Sequence, residues 1–563
     1  MKLIKKIFFL VFLINTLFAC DSFLAPDKDN IFSESELIKD PSKAEGVLLN
    51  AYQSVPNSVN FTEVATDDAV SNDNSNNYRQ VSSGGWAATN NPFNTWAGSY
   101  TNITYINLFL TIVDKVEWSE KSDWQNEHYK LKLKAEAYGL RALFQYRLLQ
   151  AHSGMDNSGN LLGYPITTKL ITVNDDWQSY PRASYEDCVN QILADLEIAI
   201  SGLPDTYADA PINDALKADY DKVYGSRFLN RMNKRAAQLL KARVLLHAAS
   251  PAFNLNNDLK KWESAADAAA VVIEANGGLN SLSNNRLQFY LNENNTDIIW
   301  RKDYNNSRNL EVDHFPPSLY GTGRLNPTQN LVDAFPTADG YPINNPASAY
   351  DNNNPYSNRD PRLGTYIVYN SSKLKNATIN TVNDTKDGVN MIAESSTRTG
   401  YYMKKLLNEN VNLTPGLLVS QRHFQTLMRV TEAFLIYAEA ANEAWGPDGK
   451  GSNNYSSKEI IKSLRTTAGI TTDNYLPTVN NKDDMRELVR NERRIELAFE
   501  GFRFWDIRRW NDITLMKKTA QGTLNGGVSA IDVENRAYED YMIYGPIPDS
   551  EHRKGLVQNK GWQ

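Results

Sequence analysis

The chain has 563 residues, of which 41% are hydrophobic and 22% are charged. This much apolar material can form a large core and excludes wholesale disorder. The formal charge of −7 leaves no basic excess for nucleic acid phosphates, so the composition argues against a nucleic-acid partner. Asparagine and tyrosine are abundant, with 62 and 29 residues respectively. Asparagine favours loops and tyrosine offers a flat apolar face with a polar edge, a combination that suits the binding of polar, ring-shaped ligands such as sugars.

The first residues resemble a bacterial lipoprotein signal peptide. Three lysines precede an apolar run over residues 7–14, which is too short to span a bilayer. The tetrapeptide LFAC, which ends at Cys20, resembles a lipobox. This pattern predicts removal of residues 1–19 and lipid attachment to Cys20, so that acyl chains anchor the protein to a membrane. The alternative is an ordinary signal peptide that happens to contain a cysteine.

The remaining chain, residues 20–563, is predicted to be a single, mostly α-helical domain. Helical periodicity occurs in paired segments, at about 123–151 with 184–203, 232–250 with 261–275, and 429–445 with 457–468, followed by a last helix at about 482–500. Repeated helix pairs favour a tetratricopeptide-like scaffold, although long insertions separate the pairs and the period alone does not establish the repeat. Cys188 lies in a helical pattern and is interpreted as a packing residue.

The insertions at about 61–100 and 303–400 differ from the helical segments in composition and in hydrophobic pattern. They are dense in Asn, Asp, Gly, Pro and Tyr, and only residues 297–300 and 365–369 have clear strand character. Loops of this length are usually functional or disordered, and their aromatic residues favour function. The sequence therefore predicts a helical frame that carries a large, irregular, loop-rich lobe.

No catalytic or cofactor motif is recognisable in the sequence. The histidines and cysteines lack zinc-ligand spacing, and the nucleotide-binding and nucleophile-elbow motifs are absent. The aspartate- and asparagine-rich runs do not match an EF-hand and are interpreted as solvated turns. Glu492, Glu496 and Glu500 alternate with arginines at helical spacings that allow ion pairing, which lowers a carboxylate pKa rather than raising it as a general acid requires. We therefore interpret this segment as structural, with Trp505 and Trp510 in the core, and predict neither catalysis nor a cofactor.

The same segment carries the most specific resemblance to a known family. The sequence RNERRIELAFEGFRFWDIRRW, residues 490–510, closely resembles the C-terminal signature of the SusD/RagB family of nutrient-binding outer-membrane lipoproteins. Further similar segments follow the family order at 66–69, 96–110 (a helix in the family), 134–149, 163–165, 235–251, 326–335, 358–363, 429–444, 464–469, 546–548 and 558–562. The resemblance thus spans essentially the whole mature chain.

The resemblance implies four tetratricopeptide-like helix pairs beside a loop lobe, no enzymatic activity, and a SusC-like TonB-dependent transporter as partner. We therefore expect a lipoprotein of the outer membrane, exposed on the cell surface, that captures an oligosaccharide and delivers it to the transporter. The alternatives are a surface-anchored enzyme that cleaves glycans and the binding of a non-glycan nutrient such as a peptide. The sequence does not identify the glycan.

The resemblance also implies that ligand contacts come from loops at roughly 67–96 and 303–324. Within them, Trp86 is the preferred stacking platform because it follows two glycines in a polar loop and joins no helical stripe. The second-choice platforms are Tyr304 and Tyr320, and the expected hydroxyl partners are Asp68, Asn72 and Arg79. The alternative for each residue is inward packing that holds an irregular backbone.

Overall fold

The computed structural model describes residues 33–56, 60–172, 174–176, 179–210, 217–382, 384–527 and 529–562. Its longer helices are α1 (Pro41–Gln53), α2 (Trp96–Ile112), α3 (Asp123–His152), α4 (Tyr185–Gly202), α5 (Lys217–Tyr224), α6 (Lys234–Ala249), α7 (Leu259–Ala275), α8 (Val430–Trp445), α9 (Ser457–Ala468), α10 (Lys482–Glu496) and α11 (Arg503–Arg509). Cys20 and the predicted signal peptide lie outside the described residues.

The long helices form a continuous stack. Helix α1 packs against α2, α2 against α3, and α3 against both α4 and α5. Helix α4 packs against α6, and the series continues through α7 to α8, which contacts both α9 and α10. Every predicted helix is present within a few residues of its expected ends. This arrangement confirms the mostly helical, tetratricopeptide-like frame. Within the described residues, no helix combines the length and the apolarity needed to cross a bilayer.

Local capping explains where several helices begin. Ser122 accepts a hydrogen bond from the backbone N–H of Gln125 at the start of α3, and Ser184 accepts one from Asp187 at the start of α4. Helix α10 ends at Glu496, four residues earlier than expected, because the chain then turns through positive φ angles at Phe499 and Gly501.

The strands pair in short antiparallel ribbons rather than in one large sheet. They are β1 (Ala69–Ser71), β2 (Gly154–Met155), β3 (Leu161–Leu162), β4 (Ile298–Ser307), β5 (Leu325–Pro327), β6 (Ile367–Val368), β7 (Lys373–Leu374), β8 (Ala377–Thr378), β9 (Tyr402–Met403), β10 (Gln421–Arg429), β11 (Ala520–Leu524) and β12 (Ser529–Glu534). The longest ribbon joins β4 to β10 and contains register shifts. The strand expected at 297–300 is the beginning of β4, whereas β10 and helix α1 were not predicted.

Two hydrophobic clusters divide the interior. The larger one lies among the stacked helices, and the smaller one lies under the loops of residues 315–413 and includes Phe315, Tyr366 and Tyr402. The loop-rich lobe is therefore irregular in backbone but has a core of its own. Cys188 is fully buried, with Sγ 3.4 Å from the Tyr164 carbonyl oxygen, and burial raises the pKa of its thiol to about 12.

Candidate ligand-binding surfaces

The Asp-rich turn before β1 is buried in ion pairs. Arg494 Nε donates to Asp68 Oδ1 at 2.7 Å, and Arg503 Nε donates to Asp67 Oδ1 at 3.0 Å. Burial opposes the ionisation of Asp67, but the two guanidinium groups hold the pKa of that carboxyl well below its usual range. Asp68 is only 1% exposed. This corrects the expectation that Asp68 faces a ligand, because its carboxylate instead joins the turn to the C-terminal segment.

Trp86 also turns inward. Its side chain is 4% exposed, and its indole N–H donates to Asn91 Oδ1 at 3.0 Å. Its ring meets Phe93, Phe504 and Trp562 edge-on, at centroid distances of 5.4, 5.7 and 4.9 Å. The polar loop sequence did not reveal this cluster, because Phe504 and Trp562 lie far away along the chain. Trp86 therefore offers no face for stacking, which corrects its place as the preferred platform.

Asn72 holds two loops together. Its side-chain amide donates to the carbonyl oxygens of Thr322 and Gly323, both at 2.9 Å, and to that of Ser396 at 3.2 Å. Because the side chain is almost completely buried, it cannot reach a sugar hydroxyl. The expectation of a direct ligand contact is thus corrected to a positioning role for the loop that follows Tyr320.

Arg79 lies half-buried at the edge of a polar chain of side chains. Its Nε is 3.3 Å from Glu534 Oε2, and its Nη1 donates to Asn74 Oδ1. Asn74 in turn donates to Glu394 Oε1 at 3.2 Å, and both Asn74 and Glu394 are exposed. Arg79 therefore orients exposed polar groups on the lobe surface.

Among the described side chains of the predicted loops, Tyr320 is the exposed aromatic residue. It is 56% exposed and has a φ of 66°, which directs the chain sharply after a short 3₁₀ turn. The backbone N–H of Ser318 donates to Asp387 at 2.8 Å, and Arg324 Nη1 donates to the Glu394 carbonyl oxygen at 3.0 Å. These bonds place the Tyr320 loop beside residues 387–396. Tyr304 belongs to β4, and its side chain lies outside the described part of the structure.

We call this surface the loop-lobe patch. It comprises Asn74, Arg79, Tyr320, Arg324, Met391, Ile392 and Glu394. Of the residues selected from the sequence, Arg79 and Tyr320 thus belong to one surface, with Asn72 beneath it. The sequence did not point to Arg324, Met391, Ile392 or Glu394, because a residue's position in a long loop does not indicate which other loop it meets.

Glu496 is a structural carboxylate. It is fully buried and lies 3.2 Å from Arg286, 3.0 Å from Arg362 and 3.6 Å from Arg429. Burial alone would raise its pKa, but these guanidinium groups lower it to about 2. A general acid needs the opposite shift. The geometry therefore agrees with a structural interpretation of the C-terminal signature.

The partners in this network differ from those expected. Ion pairs along the same helix were predicted, yet Arg493 of α10 bonds to Asp506 at 2.8 Å and Arg494 bonds to Asp68. Glu492, Arg493 and Glu496 at the end of α10 are all buried, so long-range partners replace those at helical spacing. Trp510 is buried and donates to Glu439 at 2.7 Å, as expected for a core residue. Trp505 is only partly buried, which corrects its assignment to the core.

Trp505 borders a cavity of about 670 Å³ between the helical frame and the β4–β10 ribbon. Helices α3 and α6, residues 305–307 of β4, residues 423–429 of β10 and the segment 499–509 form its walls. This size lies within the range of roughly 300–1,000 Å³ found for small-molecule sites. No continuous sequence motif predicts the cavity, because its walls come from segments hundreds of residues apart.

Comparison with known proteins agrees with the fold and the sequence resemblance. The model of the SusD family matches residues 288–562, and the model described as starch-binding associating with outer membrane matches residues 23–244. The chain is 22% identical to SusD-like protein P38 of Formosa agariphila, over 93% of this chain and 95% of the relative. The chain therefore belongs to the SusD/RagB family.

Solved structures share the whole architecture. A SusD-like protein of Bacteroides fragilis superposes with a TM-score of 0.73 at 25% identity, covering 96% of this chain and 100% of that one. A SusD-like carbohydrate-binding protein of the same species gives 0.69 at 23% identity, with coverages of 92% and 98%. A laminarin-binding SusD-like protein gives 0.60 at 18% identity, with coverages of 93% and 100%. The fold is thus that of the SusD-like proteins.

Proposed function

We propose that this protein is a cell-surface lipoprotein that captures an oligosaccharide on the loop-lobe patch and delivers it to a SusC-like TonB-dependent transporter. Cys20 carries the lipid anchor in the outer membrane. Membership of a carbohydrate-binding family, one of whose models is described as outer-membrane associated, supports this assignment. The transporter as partner follows from the family resemblance of the sequence.

The exposed ring of Tyr320 beside exposed polar groups is the observation that carries the proposal. The C–H face of a pyranose ring is apolar and can stack on a tyrosine ring, while the hydroxyl groups around the sugar require donors and acceptors. The amide of Asn74, the guanidinium of Arg324 and the carboxylate of Glu394 supply both within the same patch. Met391 and Ile392 add exposed apolar surface. The patch therefore has the composition of a sugar-binding surface.

A glycan array followed by calorimetry tests this assignment. With the glycan that the array identifies, we expect Tyr320→Ala to weaken binding by about 2 kcal/mol, or about thirtyfold, because it removes the stacking platform. Tyr105→Ala is the matched control, since Tyr105 is 40% exposed but lies on α2, outside the patch. Equal affinities of the two variants, with unchanged melting temperatures, would remove Tyr320 from the site.

Two further measurements distinguish the alternative functions. Reducing ends released from a glycan in proportion to added protein would contradict a binding role without catalysis and favour a glycan-cleaving enzyme. A peptide library that binds where the glycan array does not would favour a non-glycan nutrient. We do not expect reducing ends to be released, because Glu496 and Glu500 of the C-terminal signature are committed to arginines.

A further inference from the structure

The cavity beside Trp505 contains an arginine without a partner. Arg147 lies on α3 and lines the cavity, and its guanidinium makes no hydrogen bond or ion pair with any described residue. Burial lowers the pKa of this arginine, as expected where no carboxylate compensates the charge. A guanidinium presents several donors in a planar fork that matches a carboxylate or a sulfate. Arg147 is therefore available to an oxyanion.

The other arginines of the cavity wall are already committed. Arg243 forms a two-point pair with Glu432, at 2.7 and 2.6 Å. Arg429 bonds to Glu500 at 2.8 Å, and Arg509 pairs with Glu439, a residue outside the wall. Arg493 pairs with Asp506. Among the described arginines of the wall, Arg147 is thus the one without a carboxylate partner.

Two buried groups in the same wall also lack partners. Arg493 is 3% exposed, and its Nη1 makes no hydrogen bond, although its Nε bonds to Asp506 at 2.8 Å. The hydroxyl oxygen of Thr426 on β10 is likewise buried without a partner. A buried donor without an acceptor is energetically unfavourable. Because most buried polar groups are satisfied, Arg493 Nη1 is suited to donating a bond to a ligand, and the Thr426 hydroxyl is suited to donating or accepting one.

The remaining wall provides flat apolar surface. Phe502 and Trp505 line the cavity, and both side chains are only partly buried. An apolar wall with a few polar groups is typical of a small-molecule site.

We propose that this cavity is a second binding site, which takes a sugar unit carrying a carboxylate or a sulfate. Arg147 pairs with the oxyanion, Thr426 and Arg493 bond to ring or hydroxyl oxygens, and the aromatic wall covers the apolar face of the sugar. The inference rests on the proposed function, because an acidic sugar is here a component of the captured glycan. Beyond the proposed function, it predicts that the protein prefers glycans that contain acidic sugar units.

Calorimetry with glucuronate, glucose 6-sulfate and glucose tests the site in the full-length mature protein. We expect at least one of the two anions to bind at least about tenfold more tightly than glucose, since a hydrogen bond to a charged group contributes that much. Arg147→Gln should abolish the difference and leave the melting temperature unchanged or raised, because the unpaired charge stabilises nothing in the fold. Arg553→Gln is the control, since Arg553 is exposed on the terminal helical turn.

Equal affinity for all three sugars in the wild type, or an anion preference that persists in Arg147→Gln, would overturn the proposal. Thr426→Val provides a second variant, expected to weaken anion binding without removing the preference for charge. A wrong cavity proposal can be distinguished from a wrong proposed function. If only the cavity proposal is wrong, Tyr320→Ala still weakens binding of the glycan that the array identifies. If the loop-lobe patch is not the binding surface, Tyr320→Ala leaves that binding unchanged.

Discussion

Buried pairs of arginine and carboxylate are the dominant feature at the scale of single residues. Arg141 bonds to Asp195 at 2.7 Å within the helical frame, and Arg509 forms a two-point pair with Glu439 near the C-terminal signature. Such pairs contribute little net stability, because both charges lose their hydration. Removing one member is nevertheless costly, since the other charge is left buried without compensation. Buried charge therefore makes the C-terminal signature sensitive to substitution without any catalytic role.

Glu496→Gln tests this explanation. We expect the free energy of unfolding to fall by about 3–5 kcal/mol, because Arg286, Arg362 and Arg429 lose their shared carboxylate. Ligand affinity of the folded fraction should stay unchanged. Chemical denaturation with Glu117→Gln as an exposed control measures the effect. Loss of ligand binding at an unchanged melting temperature would contradict the structural role.

The destabilisation caused by Glu496→Gln should depend on pH with a defined sign. The pKa of Glu496 is lowered from 4.5 to about 2 in the folded protein, so the unfolded chain binds its proton more readily. The stabilisation is fully present above pH 4.5 and is lost as the pH falls towards 2. The difference in stability between wild type and Glu496→Gln should therefore narrow over that interval.

At the scale of elements, His152 ties the end of α3 to two distant segments. Its Nδ1 lies 2.7 Å from the Pro546 carbonyl oxygen, and its Nε2 accepts a hydrogen bond from the backbone N–H of Thr95 at 3.3 Å. Both contacts are satisfied only by the neutral imidazole, with the proton on Nδ1. Burial lowers the pKa of His152 to about 4. The junction of α3, the start of α2 and the terminal segment therefore depends on an uncharged histidine.

We predict that acid weakens this junction. Because the folded pKa is below the ordinary value of 6.5, the unfolded chain binds more protons and stability falls as the pH drops from 6.5 to 4. The loss due to His152 is on the order of 3 kcal/mol at pH 4. His152→Gln should flatten the decline of unfolding free energy over this interval, whereas the exposed control His552→Gln should not. Burial also lowers the pKa of His247 and His314, which therefore contribute a slope of the same sign in both variants. Identical slopes in the two variants would refute the explanation.

At the scale of the whole molecule, α10 connects the two hydrophobic cores. Met485 and Val489 belong to the core of the helical frame, while Ile495 and the following Phe499 belong to the core of the loop-rich lobe. The Glu496 network lies at this boundary. The lobe that carries Tyr320 is thereby fixed to the frame, which positions the loop-lobe patch relative to the helical stack.

The proposed anchor leads to a prediction for the cell. Cys20→Ala should release the protein from the membrane fraction, because the lipid is attached to that thiol. Cys188→Ala, which keeps Cys20 and changes only a buried helical thiol, should remain membrane-bound. Fractionation with immunoblotting measures both. Retention of Cys20→Ala as tight as that of wild type would contradict the lipobox interpretation.

The sequence by itself determined most of the long helices, their pairing and the family, whereas α1 was not predicted. Helix-forming periodicity and capping residues act within a few positions along the chain, so the bounds of α3, α4 and α9 could be predicted closely. The segments that resemble the family, in the family's order, extended the fold prediction to the whole mature chain. These features are local or contiguous, and a single sequence displays them directly.

Only the tertiary structure decided which loop residues face solvent. Trp86 and Asp68 look like binding residues in a polar loop, yet partners such as Trp562 and Arg494, more than 400 positions away along the chain, bury them. Tyr320 remains exposed because its loop is held from below by Asn72. Burial depends on contacts between distant segments, and the sequence around a tryptophan is the same whether its ring stacks on a sugar or packs on another ring. Sequence periodicity does not report contacts between distant segments. The exposed residues of the site could therefore be identified only from the folded structure.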